Sequence, residues 1–300
     1  MLRTRKALPL ILLTAAFACA QDPAPVVVGG SHAERVTQEP VATTDAALRV
    51  TYLGNEGFLI ESGAQRVLID ALFGQGISGY EVVPSHLREA LESGSEPWDG
   101  VAVALASHFH RDHFDPLAVG RFLEANPEAL FISTPQAAAS FGDANPGRPD
   151  LQSRFRAILP APGRVETVQL GDLKIEVLNL HHGAGNPPTQ NLGLVISLGG
   201  ERALHFGDTE AKMIDFEPYL DLLKDTDIAL LPFWFLSSEW RADMVSELIQ
   251  PRRIAVGHLP TRDAPAGYFA RWNSYDELRS KIEDRFPEAW IADQSAEVMP

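Results

Sequence analysis

Three observations predict an α/β fold organised as one large domain. Apolar runs of strand length recur along the chain, helix-start signals lie between them, and 45% of the 300 residues are hydrophobic, enough for one sizeable core. No repeat of about 20 to 50 residues stands out, and the longest low-complexity tract is Ala137-Ala138-Ala139.

In chain order, the first segment differs from everything after it. Arg3, Arg5 and Lys6 precede the apolar run Ala7 to Phe17 and small residues follow, the pattern of a secretory signal peptide too short for a confident membrane span. Ala18-Cys19-Ala20 fits an A-x-A cleavage site. Ala16-Phe17-Ala18-Cys19 is a poor lipoprotein box, lacking the preferred Leu three residues before the cysteine. The two readings predict a soluble periplasmic protein or one held by a lipid anchor at Cys19, and the location of the sole cysteine here leans toward the anchor. Cleavage after Cys19 would leave a mature chain without cysteine and with no need of a disulfide in an oxidising compartment. Residues Gln21 to Ala46, with Pro23, Pro25 and Pro40 among small polar residues, cannot bury a core and read as a flexible tether. The expected organisation is a signal peptide over 1–20, a tether over 21–46 and a folded domain over 47–300.

Val101 to Ala106 (VAVALA) follows the turn-like Trp98-Asp99-Gly100 and reads as a buried strand. At its exit stands Ser107-His108-Phe109-His110-Arg111-Asp112-His113, with four potential metal ligands inside six residues. In an extended segment the side chains of i and i+2 point the same way, so His108 and His110 can approach one cation together. Asp115-Pro116 predicts a helix N-cap followed by Pro at the first helical position, with the helix running from Pro116 to about Asn126. Asp112 and His113 therefore sit where the chain turns. Imidazole and carboxylate without thiolate suit Zn, Mn or Fe, and two ligand groups in one short loop suggest two neighbouring metals. On this loop alone, a polar loop with scattered histidines is the competing reading.

Later strands argue against that alternative. Phe141 to Asp150 (FGDANPGRPD) is turn-rich and reads as a surface insertion or a plain connector. Lys174 to Leu180 (KIEVLNL) alternates like a strand and ends at His181-His182-Gly183. Arg202 to Phe206 (RALHF) ends at Gly207-Asp208-Thr209, and Arg253 to Val256 (RIAV) ends at Gly257-His258. Three strands that each deliver a His or Asp at their exit match what a two-metal site needs from the rest of the chain. Between them, Leu230 to Leu236 (LLPFWFL) places three aromatics at a strand end, either as pocket walls for an apolar substrate or as core packing beneath the final helices. Met244 to Gln250 and Ser274 to Phe286 read as helices packed on the sheet.

Taken together, SHFHRDHF, HHG, HFGDT and VGHLP resemble the metallo-β-lactamase superfamily over about Leu48 to Pro260. Arg49 to Ile60 and Gln65 to Asp70 look like the first strands of that fold. LIESGAQRVLID and NLGLVISLGGERALHFGDT are most similar to its broad bacterial branch, which contains ascorbate phosphate lactonase and N-acyl phosphatidylethanolamine phospholipase D. The resemblance implies a four-layered αβ/βα sandwich carrying two divalent metals, Zn first with Mn or Fe as alternatives. It implies that His108, His110 and His182 hold one metal, that Asp112, His113 and His258 hold the second, and that Asp208 bridges them. His182 is preferred over its neighbour His181 because Gly183 follows it, as in the His-Gly turn of relatives. His205, inside its strand, reads as structural, and His32 and His86 gain no support from position.

The implied chemistry is hydrolysis. A hydroxide between two cations about 3.5 to 4 Å apart would attack an ester, lactone, amide or phosphodiester, with Asp112 as ligand and catalytic group orienting the water's proton. An Asp in the GDT position resembles phosphodiesterase-like, thioesterase-like and lactonase-like members, which disfavours a β-lactam substrate. The competing classes are an iron-dependent oxidoreductase on the same fold and a metal-binding protein without turnover. A serine hydrolase is disfavoured, since no G-x-S-x-G elbow occurs.

Charge narrows the partners. The chain carries 25 basic against 40 acidic side chains, net −15, and −18 (22 against 40) without Arg3, Arg5 and Lys6. Such an excess repels polyanions and disfavours nucleic acid, leaving a small apolar or anionic molecule as the expected substrate.

Overall fold

The computed structural model describes residues 47–183, 188–210, 212–269 and 272–300. The expected signal peptide, the tether and Cys19 lie outside the described residues. Two sheets form the centre. The first has strands in the order β1 (Arg49–Gly54), β2 (Gly57–Ser62), β3 (Gln65–Ile69), β4 (Val101–Leu105), β5 (Leu130–Ser133) and β6 (Phe155–Ala157). Its first three strands form an antiparallel meander, and β3 to β6 are parallel. The second sheet repeats that plan. Strands β7 (Val165–Leu170), β8 (Leu173–Asn179), β9 (Leu192–Leu198) and β10 (Glu201–His205) are antiparallel neighbours. They are followed by parallel β11 (Ile228–Pro232), β12 (Arg253–Gly257) and β13 (Ala289–Trp290).

Period-two alternation explains how these strands stack into four layers. On β2 and β3, Phe58, Ile60, Val67 and Ile69 face the other sheet, where they meet Ile175, Val177, Leu194, Ile196, Ile228 and Leu230 in one buried cluster. The intervening Leu59 and Leu68, with Ala104 and Phe131, face outward onto helices α1 (Ser85–Ser93), α2 (Pro116–Ala125) and α3 (Pro135–Ala144) through Leu87, Leu91, Val119, Phe122 and Phe141. Across the molecule, Val195, Leu204, Ala229 and Leu231 face a second helical layer through Phe216, Phe235, Leu278 and Ile282. Strands such as β11, buried along all five residues, are apolar throughout because both faces are covered. The fold is the αβ/βα sandwich that the resemblance implies. Residues near the C-terminal end of the chain return to the first sheet: Ala296 N–H donates to Tyr52 O, and Met299 N–H donates to Val50 O at 2.8 Å, covering the outer edge of β1.

Helix α2 begins where the sequence places it. Asp115 accepts from the N–H groups of Leu117 and Ala118, Pro116 occupies the first turn, and Ala118, Val119, Phe122 and Leu123 are buried against the first sheet. Two expectations gain detail. The turn-rich Phe141–Asp150 segment is helical through Ala144, because the Thr134 cap and Pro135 launch α3 and buried Phe141 holds its last turn against the core. The LLPFWFL strand ends at Pro232, and Trp234–Ser237 form a single helical turn that splits the aromatics between two environments. Met244–Ile249 is helical as expected but wound as a π-helix that continues Glu239–Asp243.

Candidate metal centre

The carboxyl ends of β4, β8, β10 and β12 open at one edge of the sandwich, and the side chains found there come from both sheets. Beyond β4 the chain turns tightly, the N–H groups of His113 and Phe114 both donating to His110 O, which brings His108, His110, Asp112 and His113 to one side. Gly207 lets the β10 exit pass close beneath: at φ 55°, its place for a Cβ lies against Asn191 Oδ1 and 2.6 Å from the Ser107 Cβ. A side chain there would displace Asp208. His258 also has positive φ, 53°, and its N–H donates to Asn55 O at 2.8 Å.

One ligand atom from each of His108, His110, His182 and Asp208 lies within 4.8 Å of the others, and Asp112, His113 and His258 form a second such group. Asp208 stands between them, 3.9 Å from His108 Nε2, 3.7 Å from His182 Nε2, 3.4 Å from His113 Nε2 and 3.3 Å from His258 Nε2. Asp112 is 3.7 Å from His113 Nε2 and 3.6 Å from His258 Nε2. The Nε2 atoms of His108, His182 and His258, Asp112 Oδ1 and Asp208 Oδ1 are buried and have no hydrogen-bond partner. Leaving a buried polar group unpaired costs about 1–3 kcal/mol each. Five such atoms, divided between two neighbouring ligand groups, fit divalent cations, and the donor set of imidazole and carboxylate suits them. The structure thus brings together every residue the sequence singled out for the two metals.

Two of the imidazole rings, those of His113 and His108, are fixed from behind. His113 Nδ1 donates to Asp70 Oδ2 at 2.8 Å, and Ser107 Oγ, itself donating to Asp70 Oδ2 at 2.6 Å, accepts from His108 Nδ1 at 2.9 Å. With Nδ1 so engaged, Nε2 is the nitrogen of each ring directed at the centre, where a bound cation would take its lone pair. Asn55 Nδ2 donates to Asp112 O and, at 3.4 Å, to Asp112 Oδ2.

Charge in this pocket is strongly coupled. Burial works against the Asp208 carboxylate, but His258 and His113 hold it well below the usual range. Burial likewise opposes charge on His113 and His258. Asp208 nevertheless raises both, His113 well above the ordinary imidazole range with help from Asp70, and His258 to about 10. Asp112 is held low by His258, 3.6 Å away, and then by the His113 charge, against the effect of burial. His108 and His110 are lowered, chiefly by burial and then by neighbouring imidazoles.

Outside the cluster, His181 is two-fifths exposed and 3.6 Å from Glu210, as a surface histidine would be. His205 is buried and structural, Nε2 donating to Glu56 O at 3.2 Å and Nδ1 accepting from Gly207 N–H. Of the aromatic run, Phe235 is buried in the core, whereas the Trp234 ring packs 5.1 Å from that of His258 and lines the pocket. Tyr80 packs on the other side of His258 at 4.3 Å. The open pocket, of about 340 Å³, is bounded by His182, Asp208, Trp234, Glu210 and Arg241, with the Arg241 guanidinium stacked on Trp240. Sequence reasoning missed Asn55, Glu56, Ser107 and the role of Asp70. Glu56 is 1% exposed, and burial followed by the nearby Asp208 charge raises its carboxyl well above the usual range.

Comparison with known proteins agrees with this geometry. A family model described as beta-lactamase superfamily domain matches residues 65–266, more than half of the chain. A UPF0173 metal-dependent hydrolase of Aeropyrum pernix is 24% identical over 244 residues, covering 79% of this chain and 90% of that protein. Among solved structures, the isothiocyanate hydrolase from Delia radicum gut bacteria superposes with a TM-score of 0.54 at 16% identity, over 84% of this chain and 98% of that one. The metallo hydrolase Igni18 of Ignicoccus hospitalis gives 0.53 at 16% identity, over 84% and 97%.

Proposed function

The chain belongs to the metallo-β-lactamase superfamily of metal-dependent hydrolases, and from that premise we propose that it is an exported two-metal hydrolase of small esters, lactones, amides or phosphodiesters. The observation that carries the reading is the set of buried, unpartnered ligand atoms grouped on either side of Asp208. His108, His110 and His182 would hold one cation, Asp112, His113 and His258 the other, with Asp208 shared. Zinc suits the imidazole-rich half, with manganese or iron as alternatives. When bound, two divalent cations supply a Lewis-acid pair that brings the pKa of water toward about 7 and polarises the scissile carbonyl or phosphoryl group.

The protein's own groups do the rest. Asp112, held ionised and anchored by Asn55, keeps Oδ1 available to take a proton from the attacking water. Asp70 and Ser107 fix the tautomers of His113 and His108, so neither ring has to reorganise during turnover. Trp234 and Tyr80 flank His258 and keep bulk water from that side. Arg241 and Trp234 at the pocket wall support a substrate with an anionic or apolar group beside the scissile bond. Arg3, Arg5, Lys6 and the apolar run that follows support export to the periplasm or anchoring through Cys19, with residues 47–300 as the hydrolase domain.

The test is metal analysis of protein purified without added metal, together with hydrolysis of lactone, carboxylester, phosphodiester and β-lactam probes. About two metals per chain and turnover of one of the first three classes are expected. Absence of bound metal, or turnover of β-lactams alone, would refute the reading.

A further inference from the structure

Glu56 lies in the turn between β1 and β2, on the floor of the second half-site, packed against Gly257 immediately before His258. Neither Oε1 nor Oε2 has a hydrogen-bond partner. A carboxylate taken out of water without a partner is costly, and buried ones are paired or bind cations. The neighbouring groups that could pair with it are committed elsewhere. His205 Nε2, 3.7 Å away, gives its proton to the Glu56 backbone carbonyl, and His205 Nδ1 accepts from Gly207. Asp70 already accepts from Ser107 N, Ser107 Oγ and His113 Nδ1. Glu56, Asp70 and His205 are therefore disfavoured as a separate cation site, because both His205 nitrogens are engaged and Asp70 already accepts three hydrogen bonds. The direction left open is toward the metal centre, where a Glu56 oxygen, a His113 nitrogen and an Asp208 oxygen lie within 4.8 Å of one another.

We propose that Glu56 is a further protein ligand of the metal held by Asp112, His113 and His258. The proposal rests on the two-metal reading above. It makes the two positions chemically unequal: three imidazoles and the shared Asp208 on one side, two imidazoles and three carboxylates including Asp208 on the other. Oxygen-rich donors favour harder cations such as manganese, and imidazole-rich donors favour zinc. Glu56 thus biases the second position toward the harder ion.

Cobalt(II) loading tests this, because its visible absorption strengthens as the number of ligands falls. Wild type and Glu56→Gln are titrated with cobalt against a competing chelator. In the variant the first equivalent is expected to bind as in wild type, and the second about tenfold or more weaker, the scale on which lost support of a ligand set is felt, with a stronger visible band. A second equivalent with an unchanged spectrum overturns the proposal, even if affinity falls, since Glu56 would then act only through a histidine. Should that variant fail to fold, Glu56→Asp, which keeps the carboxylate but withdraws it by one methylene, is titrated in the same way. A weaker second equivalent with a stronger visible band supports ligation, and an unchanged spectrum overturns it. If wild type itself takes up only one equivalent or none, the two-metal reading falls first and this proposal with it.

Discussion

Asp70 is buried, carries no expected ligand role, and yet receives three hydrogen bonds, from Ser107 N, Ser107 Oγ and His113 Nδ1. Asp70→Asn is the perturbation that isolates its effect on the metal. Asn is tolerated at the backbone φ of 46° found there, and its one carbonyl oxygen can still accept from Ser107 N. What it cannot do is accept from His113 Nδ1 with the second position, which becomes an NH₂ group. His113 must then lose that bond or adopt the other tautomer, placing a proton on the Nε2 that faces Asp208. A hydrogen bond to a charged group contributes about 1.5–3 kcal/mol, and about 1.4 kcal/mol is a factor of ten. Metal affinity at the Asp112–His113–His258 position should therefore fall about 10- to 100-fold, the range found for partners behind metal-bound histidines. The assay is competition between the protein and a chromophoric chelator, read for each metal equivalent, with circular dichroism confirming the fold. A folded variant that holds its second equivalent as tightly as wild type would refute the idea that Asp70 sets the tautomer.

Three further outcomes are expected. Asp208→Ala should leave a folded protein that retains less metal and has no detectable turnover, because the carboxylate that lies within 4 Å of four imidazoles is gone; full activity in that variant would mean that the two-metal arrangement is wrong. In the metal-free protein His113 and His258 are raised above their unfolded values, so their contribution to stability is complete below the ordinary imidazole range and is lost as pH rises, for His258 through about 10. Thermal unfolding from neutral to strongly alkaline pH should show that decline, and metal addition in weak buffer should release protons; an alkaline-insensitive apoprotein would contradict it. Phe122→Ala removes a ring with 0% exposure from the α2 contact and should cost about 3–5 kcal/mol in urea unfolding of the metal-free protein. A loss below about 1 kcal/mol would show that α2 is not held by this contact.

The parts of the molecule legible in the sequence are those whose signal is local. VAVALA, KIEVLNL and RALHF declare buried strands by composition and alternation, Asp115-Pro116 declares a helix start, and the ligands follow the strand exits within a few residues. The residues that hold those ligands carry no such mark. Ser107 and Asp70 are 37 positions apart, and Glu56 and His205 are 149 apart. Their roles arise only when β1, β3, β4 and β10 converge, so a lone Asp at a strand end or a Glu in a turn reads as ordinary solvated charge. At Phe141–Asp150 the turn composition holds for 145–148, while the cap at Thr134 and the burial of Phe141 carry α3 as far as Ala144. Trp234 and Phe235 show that adjacent aromatics can serve both readings at once, one facing the pocket and one the core.

The return of residues 296–299 to the edge of β1 has a bearing on how the chain is made. During synthesis the first sheet can assemble as soon as β6 has emerged, yet its outer edge stays a row of open N–H and C=O groups until more than a hundred further residues have followed. An open strand edge is a template for pairing with another chain. Throughout that interval, nascent copies on neighbouring ribosomes would be exposed to edge-to-edge association, and shielding by a chaperone, or by a charged neighbour such as Arg49, matters most then.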